Sequence, residues 1–375
     1  MLRGMDNFRF FRSVVLKALG LFLAASLLFA LADPLPALGR LSIYNRLVPG
    51  RVRLPYGDDP SRAYNLSLFQ LEAMFASHEI QAGEKPAGEY RVVLVGDSST
   101  WGYLLQPGET LSAYLNQAGL RLPDGRRVRA YNLGYPVMSL AKDLLILSEA
   151  MRYEPDLIVW PLTLESFPYD KQLFAPLLQN NREKLAGLVE AYDLALDLDD
   201  PGLVRRQTWE NSLVSRRRDL ADLVRLQLYG VMWAATGIDQ DIPQDYTPRM
   251  EDLPDDQSFH ELGPPSLPEE AMAFEILEAG RRAAGSVPIL FVNEPMFTSR
   301  GENSDIRYNF YYPRWAYDDY RAMMAARARE QGWLYLDLWD LVSPQEFTNS
   351  AVHMSPEGTR LLAQALAAEI LRLAD

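Results

Sequence analysis

The chain has 375 residues, 37 Lys and Arg against 50 Asp and Glu, 48% hydrophobic residues and no cysteine. Disulfides, thiolate nucleophiles and cysteine metal sites are excluded. A net charge of −13 with no dense basic stripe argues against a nucleic-acid partner. Three histidines, His78, His260 and His353, lie far apart without metal-ligand spacing, so no metal site or other cofactor is expected.

Residues Ala18 to Ala32, ALGLFLAASLLFALA, carry no charge, and extension back to Val14 brings the apolar stretch to about the length that spans a bilayer. No polar residue recurs at a helical period, which places such a helix in lipid or deep in a large core. Arg3, Arg9, Arg12 and Lys17 precede it, favouring a cytoplasmic amino terminus and an exported body. Ala30-Leu31-Ala32 also fits an A-x-A cleavage site. Residues 1–33 are therefore read as a transmembrane anchor, with a removed signal peptide and a secreted body as the alternative. Residues 34–90 begin with a Pro-rich exit and are read as a leader packed on the main domain, which spans 91–375.

Within the main domain, apolar runs of strand length alternate with helical segments. Strands are predicted at 91–96, 128–134 and 156–160, with helices at 110–119 and 139–152. The rhythm resumes with a helix at 268–284, a strand at 287–292, a helix at 315–331, a strand at 333–338 and a last helix from Pro356. This pattern predicts a three-layer α/β/α sandwich, flavodoxin-like, around a five-stranded parallel sheet.

The interval between the third and fourth strands is too long for an ordinary crossover and is read as an insertion at about 165–267, helical in its first part. Arg216, Arg217 and Arg218 head an apolar segment read as a packed helix with a solvated basic end; a helix lying on an anionic membrane is the alternative. Residues 239–270 are acidic and Pro-rich and are read as a mobile surface excursion containing His260. The insertion is expected to roof one side of the crevice.

The first strand runs into Gly96-Asp97-Ser98, where open parallel sheets bind ligands beyond their carboxyl ends. A serine there needs a base to accept its proton. His353, after the fifth strand and just before Ser355-Pro356-Glu357, a helix start, qualifies by position. Backbone N–H groups of Ser98 and Gly134 are the expected donors to a developing oxyanion.

These blocks resemble those of the GDSL/SGNH hydrolase superfamily: Gly96-Asp97-Ser98-Ser99-Thr100 the first, Asn132-Leu133-Gly134-Tyr135-Pro136 the second, and Val352-His353-Met354-Ser355-Pro356-Glu357-Gly358 the last. The resemblance runs from about residue 90 to the end, apart from the insertion. It implies Ser98 as nucleophile, His353 as general base, and ester hydrolysis or acyl transfer. With the anchor, it resembles exported members that act on acylated envelope polysaccharide or lipid, some with membrane-protein partners.

Two positions depart from the family pattern. Thr163 and Glu165 stand where a Gly-x-Asn is usual, leaving Thr163 as the remaining candidate third donor. One missing donor raises a barrier by about 2.7–4 kcal/mol. Ser350 stands where an aspartate would orient the histidine, so Asn349, Ser350, Asp340 or Asp337 is left for that role. These departures keep open a non-catalytic surface or carbohydrate-binding module.

Overall fold

The computed structural model describes residues 2–48, 50–57, 69–240 and 242–374, so part of the expected leader, 58–68, lies outside the described residues. Helix α1 (Leu2–Ala32) includes a segment, Phe8–Ala32, with a mean hydropathy of 2.4, long and apolar enough to cross a membrane.

Strands β1 (Glu89–Leu94), β2 (Arg127–Asn132), β3 (Leu157–Leu162), β4 (Ile289–Asn293) and β5 (Leu334–Asp337) form one parallel sheet in the order β2-β1-β3-β4-β5. The register puts Leu94 beside both Asn132 and Val159, Leu162 beside Asn293, and Asn293 beside Asp337. The carboxyl ends therefore finish together. The chain runs from β1 to one side and from β2 across to the other, so strand order reverses at β1, and the crevice opens where β1 ends.

Side chains alternate across the strands and build two apolar layers. Val93, Tyr131, Ile158, Trp160 and Phe291 face one cluster with helices α4 (Leu140–Ala150), α7 (Glu275–Ala284) and α8 (Arg314–Gln331). Val92, Leu94, Val128, Val159 and Leu290 face the other with α3 (Leu111–Gln117) and α9 (Pro356–Ala374). The one-turn helix α2 (Ser98–Trp101) follows β1, and the insertion contributes α5 (Arg182–Tyr192) and α6 (Arg217–Thr236).

Strand ends shift by one or two residues from expectation, and two stretches differ more. The helix expected from 268 begins at Glu275, because a 3-10 turn over Glu269–Ala271 ends in extended backbone at Met272. The acidic stretch 239–270 contains no α-helix or strand among its described residues, yet it is packed. Leu253, Phe259 and Leu267 are buried, and the buried Arg307 donates to the carbonyls of Asp256 and Ser258. Apolar anchors spaced through an acidic sequence hold it down.

Candidate active site

Ser98 opens α2. Asp97 caps the helix by accepting the Ser99 N–H at 2.7 Å, and Gly102 ends it with φ +89°, a left-handed conformation that favours glycine. His353 lies between β5 and α9, and its carbonyl accepts the Thr348 N–H at 2.8 Å. Ser355 caps α9 by accepting the Gly358 N–H at 3.1 Å. These local fixings bring two residues 255 positions apart into contact: Ser98 Oγ lies 2.8 Å from His353 Nε2.

The other imidazole nitrogen, Nδ1, lies 2.8 Å from Asn349 Oδ1. An amide oxygen can only accept, so Nδ1 carries the proton, Nε2 is bare, and Ser98 donates to it. Tyr103 stacks on the imidazole at 4.8 Å between ring centroids and 29° between planes. Burial lowers the His353 pKa to about 4, with no carboxylate charge to oppose it. The ring is neutral at neutral pH.

Among the described residues, none of the other expected site residues hydrogen-bonds the imidazole, although Ser350 lines the same cleft. Ser350 hydrogen-bonds the Tyr311 hydroxyl, and Asp340 is exposed in the turn after β5. Asp337 accepts from Arg321 at 2.7 Å and from Asn293 at 2.8 Å. Thr163 is fully buried with its hydroxyl 2.7 Å from that of Tyr312, which also accepts the Glu165 N–H at 3.3 Å. Its hydroxyl is thus engaged with Tyr312, and Thr163 is not among the residues lining the cleft.

Gly134 also differs from expectation. Its N–H donates to Asn132 Oδ1 at 3.0 Å, so it is not free for a substrate oxygen. Its role is close packing: a Cβ there would lie 2.5 Å from Trp101 N and 2.7 Å from the Thr100 carbonyl carbon. Gly134→Ala is expected to destabilise the fold by about 1–3 kcal/mol, since backbone rather than a pliable side chain is struck; urea denaturation monitored by circular dichroism measures it. Three residues on, Val137 lines the crevice beside Ser98. Among the described residues nothing accepts its N–H or that of Ser98.

Beneath Ser98 lies a buried polar cluster that sequence reasoning missed. Lys142 on α4 donates to the carbonyl of Gly96 at 2.8 Å and that of Tyr135 at 2.6 Å, and pairs with Asp143. One ammonium thereby ties the loop after β1 to the loop after β2. Burial, reinforced by the charge of Asp97, pushes the Glu294 carboxyl well above its usual range.

The cleft in front of Ser98 has a volume of about 510 Å³ and aromatic walls from Tyr56, Tyr103, Phe174, Phe310 and Tyr311. The insertion supplies Glu165, Lys171 and Phe174, whereas the described residues of 239–266 do not line it. His260 instead backs Glu165, with Nε2 3.2 Å from Glu165 Oε2 and Nδ1 2.8 Å from Asp170 Oδ2. Lys171 Nζ is 2.9 Å from Glu165 Oε1.

The hydrogen bond to Glu165, joined by that to Asp170, raises the His260 pKa above 6.5. Its protonated clasp is complete below that ordinary value and is lost as pH rises through the raised one. Amide exchange over residues 253–267 is expected to accelerate across that titration in the native chain and to lose the pH-linked component in His260→Gln.

No protein-family model and no curated protein sequence matches the chain. Among solved structures, a carbohydrate acetylesterase from Sinorhizobium meliloti is 13% identical, with a TM-score of 0.36 over 76% of this chain and 99% of that one. The aryl esterase of M. smegmatis is 14% identical, with a TM-score of 0.35 over 76% and 99%. The parallel sheet in the order β2-β1-β3-β4-β5 carries the GDS serine just after β1 and a histidine ahead of the last helix, in contact with it. The serine and the histidine that the sequence resemblance singles out thus meet at one edge of the sheet. Relative to the block pattern it resembles, the chain departs at Thr163, Glu165 and Ser350, and Asn349 contacts the histidine.

Proposed function

We propose that this protein is a serine-dependent ester hydrolase or O-acyltransferase working through an acyl-enzyme on Ser98. The observation that carries the proposal is the 2.8 Å contact between Ser98 Oγ and a bare His353 Nε2. Ser98 Oγ attacks the acyl carbonyl while its proton passes to Nε2. The tetrahedral intermediate then collapses, and the departing alkoxide takes that proton and leaves as the alcohol. Water, or a sugar hydroxyl, next attacks the acyl-enzyme and gives its proton to Nε2. Collapse returns the proton to Ser98 and releases a carboxylic acid or a new ester.

The N–H of Ser98, at the start of α2, is the donor proposed for the oxyanion. Glu165 would oppose that charge if left bare, and Lys171 and His260 offset it. Asn349 holds the tautomer and the ring plane, a role an amide serves in cysteine–histidine–asparagine sites.

The substrate class proposed is an acylated envelope carbohydrate or lipid. Aromatic walls around an open cleft favour apolar sugar faces and acyl chains over a highly charged ligand. The basic residues in the first half of α1, up to Lys17, favour a body held outside the cytoplasm, either anchored by α1 or released after cleavage.

The full-length protein in detergent is expected to hydrolyse short-chain aryl acetates, with turnover dependent on both Ser98 and His353. The missing amide donor at Glu165 favours one second reading, a non-catalytic carbohydrate-binding module. That reading predicts binding of an acetylated oligosaccharide with no turnover of any ester.

A further inference from the structure

Helix α6 has two faces. Asp222, Leu226 and Gly230 turn inward and are buried, with Gly230 packed so closely on Tyr44 that a Cβ would meet its ring. On the outer face, Val224, Leu228, Val231 and Met232 follow helical spacing and are each between 56% and 65% exposed. The leader runs alongside and extends this surface. Ile43 N–H donates to Gln227 Oε1 at 2.8 Å, and Gln227 Nε2 donates to the Leu41 carbonyl at 3.0 Å. Leu41, Ile43 and Leu47 are exposed there, Leu47 at 81%.

Two segments more than 180 residues apart thus join in one outward apolar surface, which water-soluble bodies rarely present without a partner. Its position indicates what covers it. Leu213, four residues before α6, donates its N–H to Ser26 Oγ near the end of α1 at 3.3 Å. Leu27, Leu28 and Leu31 on α1 are also exposed. The apolar surface of the membrane-crossing segment therefore continues toward α6, and exposed Arg217, Arg218 and Arg225 lie along that helix.

We propose that the outer face of α6, together with Leu41, Ile43 and Leu47, is a second membrane contact that lays the body on the bilayer beside α1. The bilayer is the occupant because the surface adjoins a helix that itself needs lipid, and because its basic residues complement anionic headgroups. The inference rests on retention of α1 and not on the chemistry of Ser98.

Contact at α6 also bears on the crevice. Just beyond the helix, Asp239 forms a two-pronged ion pair with the buried Arg53, at 2.7 and 2.5 Å. Arg53 in turn donates to the carbonyls of Gly102 and Leu105, on either side of Tyr103. The membrane-facing helix and the loop stacked on His353 are thereby joined.

The cysteine-free chain permits a direct test. Leu228→Cys and Met232→Cys, with Glu330→Cys on α8 as an exposed control, each carry one nitroxide in the full chain. The protein is reconstituted into vesicles of phosphatidylcholine and phosphatidylglycerol. Paramagnetic accessibility is expected to show the labels at 228 and 232 reached by oxygen in preference to a water-soluble nickel complex, at a depth of about 5–10 Å. The label at 330 should remain aqueous. Labels at 228 and 232 as open to nickel as that at 330 would overturn the proposal. Shielding from both oxygen and nickel would also overturn it, because a second copy of the chain rather than lipid would then cover the face.

Discussion

Ser98→Ala is expected to lower ester turnover by between about 10⁴-fold and 10⁶-fold while leaving the fold intact, and His353→Ala to fall in the same range. The two losses should not add, because the hydroxyl and the imidazole at 2.8 Å act as one unit. Ser98 is partly exposed at the start of a one-turn helix whose cap comes from Asp97, so alanine removes the hydroxyl without removing the cap. Comparison of kcat/KM for the two single variants and the double variant checks this. A double variant no worse than either single one is the expected result.

The second large effect is at Asn349. Its amide oxygen holds the proton on Nδ1 but supplies no charge to stabilise the imidazolium that forms when Ser98 attacks. Asn349→Ala removes the hold on the tautomer and is expected to reduce kcat by on the order of 10²-fold to 10⁴-fold. Asn349→Asp should act in the other direction on the proton affinity of the ring. The native His353 pKa is lowered by burial to about 4, and a carboxylate at contact distance raises a histidine pKa by about 1–3 units. His353 must be unprotonated to act as a base, so activity is lost as pH falls through its pKa. The acid limb of the pH–rate profile therefore lies near pH 4 in the native chain and moves upward in Asn349→Asp. An unmoved limb in that variant would show that residue 349 does not govern the imidazole.

The alternation of apolar runs located every strand and the core helices, because buried parallel strands require continuous apolar sequence and their crossovers amphipathic helices. Boundaries shifted where geometry rather than apolarity decides them, as at Glu275. Ser98 and His353 were legible because each follows a strand, and parallel strands finish at one edge. Long-range polar pairing was not legible. No local pattern links Arg53 to Asp239, or His260 to Glu165, 95 residues away. Glycine at 134 suggests a donor because it admits close approach; the approach is real, but it is to the backbone of α2. Tyr103, an aromatic shortly after the serine, and Lys142, the one cation of α4, set beside Asp143 among apolar residues, were the available signals for the two site residues overlooked.

Labelling with a fluorophosphonate, read by intact mass and peptide mapping, tests the Ser98–His353 chemistry most directly because it needs no knowledge of the natural acyl donor. The account predicts one adduct per chain, on Ser98, formed at a rate that collapses in His353→Ala and falls as pH drops through about 4. A folded native chain that gives no adduct on Ser98, or one labelled equally fast without His353, would contradict it.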